Sequence, residues 1–448
     1  MSFKILFSLL LSFSLVALPV NADNQSAAAL KSFPDYAGKS VSEHFDADKI
    51  AQLESRMHKF VSDGDTYGIA TLLMQDGKVV SHTQAGIRNL MKGAPITEDT
   101  IYRIYSMTKP VTGVAMMMLY EKGKFSLDDP VSKYIPEFAD LQVVKSYTKE
   151  GEVELEDLQR QPTMRELMSH TAGFAYGLYG DDPSNRGFMQ KRILFSPDLQ
   201  TFIDKVSTVP LMFQPGEKWF YSAAVDIQGA IVERLSGMSF GEFLKSRLFD
   251  PLGMSDTGFY VPEDKYSRFS NVFGFHPETK KFQLLPFGEE KYNILGDMMY
   301  KKGSFGMESG GGGLVATLGD YARFCQMLAN GGELNGHRII KAETIKLMRT
   351  NVLKEGQSVD IQGVLRPADS PQIGFGLDFG VLQPSASGKA VTGEGSYFWG
   401  GAAGTWFWID PTNNFYFIGM IQRFPQGGPE VDFRGISQKM VYEALVPK

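Results

Sequence analysis

IYSMTKPVTGVAMMMLYEKG, residues 104–123, couples a reactive-looking serine to the most apolar helical stretch of the chain. Ser106 and Lys109 form an S-x-x-K, three residues apart and hence on one face of a single helical turn. The run behind them is apolar nearly all round up to Tyr120 and stops at Gly123, the pattern of a buried central helix. Pro110 fits such a helix only if the helix begins close to Ser106, because a proline deeper in would remove a backbone bond. Ser106 is therefore expected at a helix N-terminus, where free N–H groups and the positive end of the dipole stabilise an oxyanion on an attacked carbonyl. For Lys109 to accept the serine proton it must be neutral. Lowering a lysine from about 10.4 by about three units amounts to roughly 4 kcal/mol, which burial and nearby positive charge can supply. The competing reading is an ordinary helix cap with a solvated lysine.

Two other serines match reactive patterns. Ser146 and Lys149 repeat S-x-x-K within VKSYTKEGEVELED, a charged stretch with no apolar helix behind it. GMSFG at 237–241 matches the G-x-S-x-G elbow of α/β-hydrolases, which needs a strand before the serine and a helix after it. The segment before Ser239 is instead helical, with Ile227, Ile231 and Leu235 at helical spacing and a terminal Gly237. On the other side, Ser239 and Glu242 make a capping box, and Phe240, Phe243, Leu244 and Leu248 make an apolar stripe. Ser239 reads as an N-cap between two helices.

Around this centre the two ends of the chain are strand-rich. IATLLMQDGKVVSHTQAG (69–86) is a hairpin turned at Asp76-Gly77, and GTWFWIDPTNNFYFIGMIQR (404–423) is another around D-P-T-N-N. An amphipathic helix is expected at about 48–63, and residues 101–300 read as helices and long loops with turns at QPGEK and DPLGMSD. The expected fold is α/β of the α+β type: an antiparallel sheet flanked by helices, built from the N- and C-terminal segments, with a large inserted helical lobe. SGGGG at 309–313 lacks the Lys-Ser/Thr of a phosphate loop and reads as a tight backbone passage.

Composition narrows the chemistry. Residues 1–22 have the shape of a secretory signal peptide, with an apolar run from Ile5 to Leu18, Pro19, and small residues before Asp23. Residues 23–47 are polar and small, a leader segment. The expectation is an exported protein, periplasmic or secreted, with no stable membrane insertion after signal cleavage. A net charge of -6 without Lys/Arg runs argues against nucleic-acid partners. Six histidines in no paired spacing and a single cysteine, Cys325, give little support to a metal site or a cofactor, and exclude an intrachain disulfide. Cys325 shares an apolar helical stripe with Tyr321, Phe324 and Leu328, behind a Thr317 cap, and reads as an inert buried thiol.

From about 48 to 445 the chain resembles the serine β-lactamase and penicillin-binding-protein superfamily, in its class C β-lactamase-like branch, and within that the family VIII carboxylesterases. The resemblance rests on an ordered set: SMTK (106–109), LMSHTAGF (167–174), PGEKWFYSAAVDIQG (215–229), LFDPLGMSDTGF (248–259), GGGGLVATLGDYARFCQMLANGG (310–332), GFGLDFGV (374–381) and WGGAAGTWFWIDP (399–411). It implies a β-lactamase/transpeptidase-like fold, with a sheet domain of 48–100 plus 301–448, a helical domain of 101–300, and the active site in the cleft between them. It implies Ser106 as the acylated nucleophile, Lys109 as its proton-relay partner, and Tyr221 as the second member of the base pair, a phenol whose pKa is lowered by a nearby lysine. The backbone N–H groups of Ser106 and Ala402 would form the oxyanion hole, with Trp399, Gly400 and Gly401 lining the cleft. Two departures bear on substrate: Ala223 stands where the β-lactamase triplet ends in Asn, and Trp399 where the third motif begins with Lys. Both remove polar recognition, so an ester with a small or apolar acyl group suits the site better than a charged β-lactam.

Three rivals stand beside this small-molecule ester hydrolase. One is a β-lactamase or D-amino-acid peptidase of the same fold, and another a silent peptide-binding protein. The third is a triad built on His170, whose LMSHTAG setting at a helix end points rather to packing. Oligomeric state is left open.

Overall fold

The computed structural model describes residues 33–446 apart from 41, 179, 277, 280–281, 286–299, 304–305, 356, 358, 360–372, 384–392 and 425–430. The signal-peptide reading of 1–22 and residues 23–32 of the 23–47 leader lie outside the described residues. Helix α1 (Ala47–Ser62) opens on Asp46, whose carboxylate accepts from the Asp48 and Lys49 N–H groups. Strands β1 (Gly68–Gln75) and β2 (Lys78–Asn89) follow as a hairpin, then β3 (Ala94–Pro95), β4 (Ile101–Arg103) and α2 (Thr108–Glu121). The hairpin turns through Asp76 and Gly77, at φ 50° and 74°, the double left-handed geometry that an Asp-Gly pair adopts at low cost. Beyond them lie α3 (Ala224–Ser236), α4 (Phe240–Leu244), β5 (Val315–Thr317) and α5 (Leu318–Ala329). The chain closes with β6 (Ile373–Phe375), β7 (Gly380–Leu382), β8 (Tyr397–Gly400), β9 (Trp406–Asp410), β10 (Phe415–Met420) and α6 (Phe433–Ala444).

The large sheet is antiparallel and runs β6-β7-β8-β9-β10-β1-β2-β3. Its strands come only from 68–95 and 373–420, so the two ends of the sequence meet where β1 pairs β10, Leu72 opposite Ile418. Every residue of β1 is buried, because alternate side chains serve two cores. Ile69 and Leu73 face the outer layer, where α1 contributes Leu53, Met57 and Phe60 and α6 contributes Val441. Leu72 and Met74 face the main core with α2, α3 and α5. Each such side chain, fully buried, contributes roughly 1.5–3 kcal/mol. The fold is mixed α/β, with a large antiparallel sheet flanked by helices.

Residues between β3 and β6 hold most of the remaining helices. They also hold short strand pairs where the sequence pattern suggests helix and loop: Gln142–Tyr147 with Val153–Asp157, and Phe273–Phe275 with Phe282–Leu284. The first pair is an exposed acidic hairpin with little apolar pattern to betray it, and Ser146 sits on it, its hydroxyl 3.0 Å from Glu154. Strand β4 pairs with β5, Tyr102 opposite Ala316, as a separate two-stranded sheet at the start of the Ser106 segment. No helix among the described residues is long and apolar enough to cross a membrane.

Candidate active site

Ser106 lies in a single 3-10 turn, Tyr105–Met107, between β4 and α2. Tyr105 is left-handed at φ 41°, a strained conformation for a side-chain-bearing residue that turns the chain sharply at the head of the helix. Helix α2 begins at Thr108 without a side-chain cap, and Pro110 falls in its first turn, where no helical N–H bond is lost. Thr108 to Leu119 are all buried, as the unbroken apolar pattern requires. Ser106 itself is partly exposed.

Beneath it, Lys109 is fully buried. Its Nζ lies 3.2 Å from Ser106 Oγ, 3.1 Å from Tyr176 Oη and 2.6 Å from the Gly311 carbonyl oxygen. As an ammonium it donates to all three oxygens; as a neutral amine it keeps two of these N–H bonds and turns its lone pair to the third partner. Burial pulls the Lys109 pKa down to about 7, against the opposing pull of Asp226 and Asp378. Tyr221 reaches Ser106 from the other side, its hydroxyl 2.8 Å from Oγ. The structure thus brings together Ser106, Lys109 and Tyr221, and adds Tyr176, which packs edge-on against Tyr221 at 5.3 Å.

The Tyr221 phenol runs against the expectation of a lowered pKa. Burial drives it well above its ordinary value, interactions with Ser106 and Trp399 pull the other way, and Asp226 and Asp378 raise it further. Lys109 sits only 4.6 Å from the ring centre, but burial holds the amine toward neutrality, so it supplies little charge to favour a phenolate. Tyr221 is a phenol that donates.

Trp399 and Ala223 are also placed differently from the expected cleft lining. Trp399 is 2% exposed, packed among Tyr221 and Phe375 at 5.8 and 5.3 Å, so it backs the tyrosine. Ala223 is fully buried at the head of α3, its N–H bonded to the Ala175 carbonyl. The Ala223 methyl and the largely apolar Trp399 ring both pack against the core. Gly400 is half-buried at the end of β8. Gly401 is pressed against the start of the Ser106 turn: a Cβ there would collide with the Ile104 carbonyl oxygen, which also accepts from Thr405 Oγ1 at 3.2 Å. The next residue, Ala402, is exposed.

His170 is buried and left-handed at φ 58°. Its Nδ1 accepts from the Ser222 N–H at 3.3 Å, which places the ring proton on Nε2, and Nε2 has no partner among the described residues. Burial and the neighbouring Lys109 hold its pKa far below the usual value. It packs under Tyr221 at 5.0 Å and takes no part in a triad. Cys325 is buried in α5, capped by Thr317 through the Asp320 N–H at 3.0 Å.

Comparison with known proteins decides the family. The Beta-lactamase family model matches residues 51–438. The chain belongs to the Beta-lactamase family. Among its relatives in this family, the lovastatin esterase of Penicillium rubens is 30% identical, over 77% of this chain and 86% of that protein. Esterase EstB of Burkholderia gladioli is 27% identical, over 81% and 87%. Among solved structures, EstCE1, described as a hydrolase with promiscuous acyltransferase activity, superposes with a TM-score of 0.71 at 21% identity, covering 89% of this chain and 98% of its own. The relatives are esterases and acyltransferases on the serine β-lactamase fold, and this chain is a hydrolase of that family.

Sequence reasoning misses three parts of the site: Tyr176, the Gly311 carbonyl and Asp226. They reach Lys109 from remote segments, 67 residues away for Tyr176 and 202 for Gly311. Asp226 carries the only usable signal, an acid on a helix buried from Ala224 to Val232, though a first-turn acid is also ordinary helix-dipole chemistry.

Proposed function

We propose that the protein cleaves carboxylic esters through an acyl-enzyme on Ser106. The observation that carries this reading is the partly exposed Ser106 Oγ held between the amine of Lys109, at 3.2 Å, and the phenol of Tyr221, at 2.8 Å. Lys109 takes the serine proton as Oγ attacks the carbonyl carbon. The Ser106 and Ala402 N–H groups receive the negative oxygen, with Gly400 and Gly401 bringing the third motif against the nucleophile turn. Tyr221 protonates the departing alkoxide and regains its proton from the Lys109 ammonium. Water then adds to the acyl carbonyl as Lys109 takes its proton, the bond from the acyl carbon to Ser106 Oγ breaks, and the Lys109 ammonium returns that proton to Oγ as the acid leaves.

The substrate is an uncharged ester of a small molecule. Ala223 and Trp399 are buried and supply neither an amide for the acylamide of a β-lactam nor a cation for its carboxylate, so these positions give that charge no partner. Comparing kcat/KM for p-nitrophenyl butyrate with that for nitrocefin tests this choice: the ester is expected to exceed the β-lactam at least about 100-fold. Equal values would favour a β-lactamase instead. We also propose export, on the strength of the 1–22 segment. Cell fractionation with N-terminal sequencing is expected to find the mature chain outside the cytoplasm, beginning near Asp23, and an intact Met1 in the cytoplasm would refute it.

A further inference from the structure

We propose that Asp226 is a positioning residue for Lys109, acting through the Gly311 peptide. Asp226 lies in the first turn of α3 and is fully buried. Its Oδ1 accepts from Ser309 Oγ at 2.5 Å and from the Gly311 N–H at 3.0 Å, and the carbonyl of that same Gly311 accepts from Lys109 Nζ at 2.6 Å. One residue, Gly311, therefore connects the carboxylate to the base, its N–H on the acid and its carbonyl on the amine. The loop has almost no freedom to do otherwise. A Cβ on Gly311 would stand 2.5 Å from Asp226 Oδ2 and 2.9 Å from Tyr176 Oη, so the bare peptide is clamped between the acid and the phenol.

The choice of residue also needs a reason. A buried acid is costly, and an amide or an apolar residue would pack a helix against a loop at less expense. Ser309 and Gly311 both donate to Asp226 from the 309–311 loop, and Oδ2 has no partner among the described residues, so the acid's polar interactions are directed to the segment that holds Lys109. The other polar or titratable groups facing the amine are Ser106, Tyr176, Tyr221, the neutral His170 and Asp378, which lies before β7 and bonds Gln228 at 3.0 Å. Among these, Asp226 is the acid that is hydrogen-bonded to the residue whose carbonyl grips Lys109.

The inference rests on Lys109 being the base. Asp226→Ala and Asp226→Asn in the full chain, assayed with p-nitrophenyl butyrate from pH 5 to 9 alongside thermal unfolding, test it. Asp226→Ala frees the Gly311 peptide, and kcat is expected to fall at least about tenfold with KM within about twofold. Asp226→Asn keeps an acceptor for Ser309 and Gly311 but removes a negative charge beside the amine. Its kcat plateau should stay within about threefold, while the acid limb of its pH profile moves to lower pH. Unchanged kcat and an unmoved acid limb in folded variants, with only the melting temperature lowered, would overturn the inference. If Asp226→Ala does not fold, an unmoved acid limb in Asp226→Asn overturns it alone. Failure of the underlying mechanism looks different: Lys109→Ala would then retain wild-type activity.

Discussion

Ser106 and Ser239 both stand at the start of a helix, in different surroundings. At Ser239 the N-terminal donors are already used. Its hydroxyl accepts from the Glu242 N–H at 3.2 Å, the Phe240 N–H goes to Glu233 and the Gly241 N–H to Glu308. The helix before it ends on a left-handed Gly237, so the serine joins two helices. Ser106 has a strand before it, a strained left-handed Tyr105, and a helix after it that carries no side-chain cap. Its hydroxyl is not spent on the backbone but meets Lys109 and Tyr221. The difference lies in what the serine hydroxyl meets: a backbone N–H at Ser239, and a buried amine and a phenol at Ser106. The strand-turn-helix context that the G-x-S-x-G pattern promises is found at the serine without that pattern.

This contrast can be broken at several points. The largest effect is expected from Ser106→Ala, which should lower kcat for p-nitrophenyl butyrate at least about 10³-fold; near-normal turnover would place the nucleophile elsewhere. Tyr221→Phe removes the donor to Ser106 Oγ and should cost about 10²-fold in kcat with little change in KM. An unchanged rate would take the phenol out of the relay. Lys109 must be unprotonated to act, and with a pKa of about 7 its neutral fraction grows as pH rises through that value. Wild-type kcat/KM should therefore increase about tenfold between pH 6 and pH 8, and a flat profile, or one that falls, contradicts Lys109 as base. Ser239→Ala is the smallest case on activity: about 0.5–2 kcal/mol of stability lost in thermal unfolding, and kcat unmoved.

The sheet is legible in the sequence because its hairpins carry their own turn chemistry, Asp76-Gly77 at one end of the chain and the Asp410 turn at the other. In the latter, Asp410 accepts from the Thr412 and Asn413 N–H groups at 2.9 Å. Ser106 and Lys109 are legible because both lie within one helical turn. The expected S-x-x-E box at Ser239 forms in its serine half, while neighbouring carboxylates take the remaining donors. The features that stay hidden depend on long-range burial. The direction of the Tyr221 pKa is set by the aromatic wall of His170, Trp219 and Trp399 that closes around it. The same packing turns Trp399 from an expected cleft surface into the backing of the tyrosine. The role of Gly401 is likewise a matter of contact, since only the folded chain shows it against the Ile104 carbonyl.

The most direct test of Ser106 as the nucleophile is to label the native protein with a fluorophosphonate and map the modified peptide by mass spectrometry. One adduct is expected, on Ser106, and it should be lost when Lys109 is replaced by Ala. An adduct on Ser239, or none on a protein that still hydrolyses esters, would contradict that assignment.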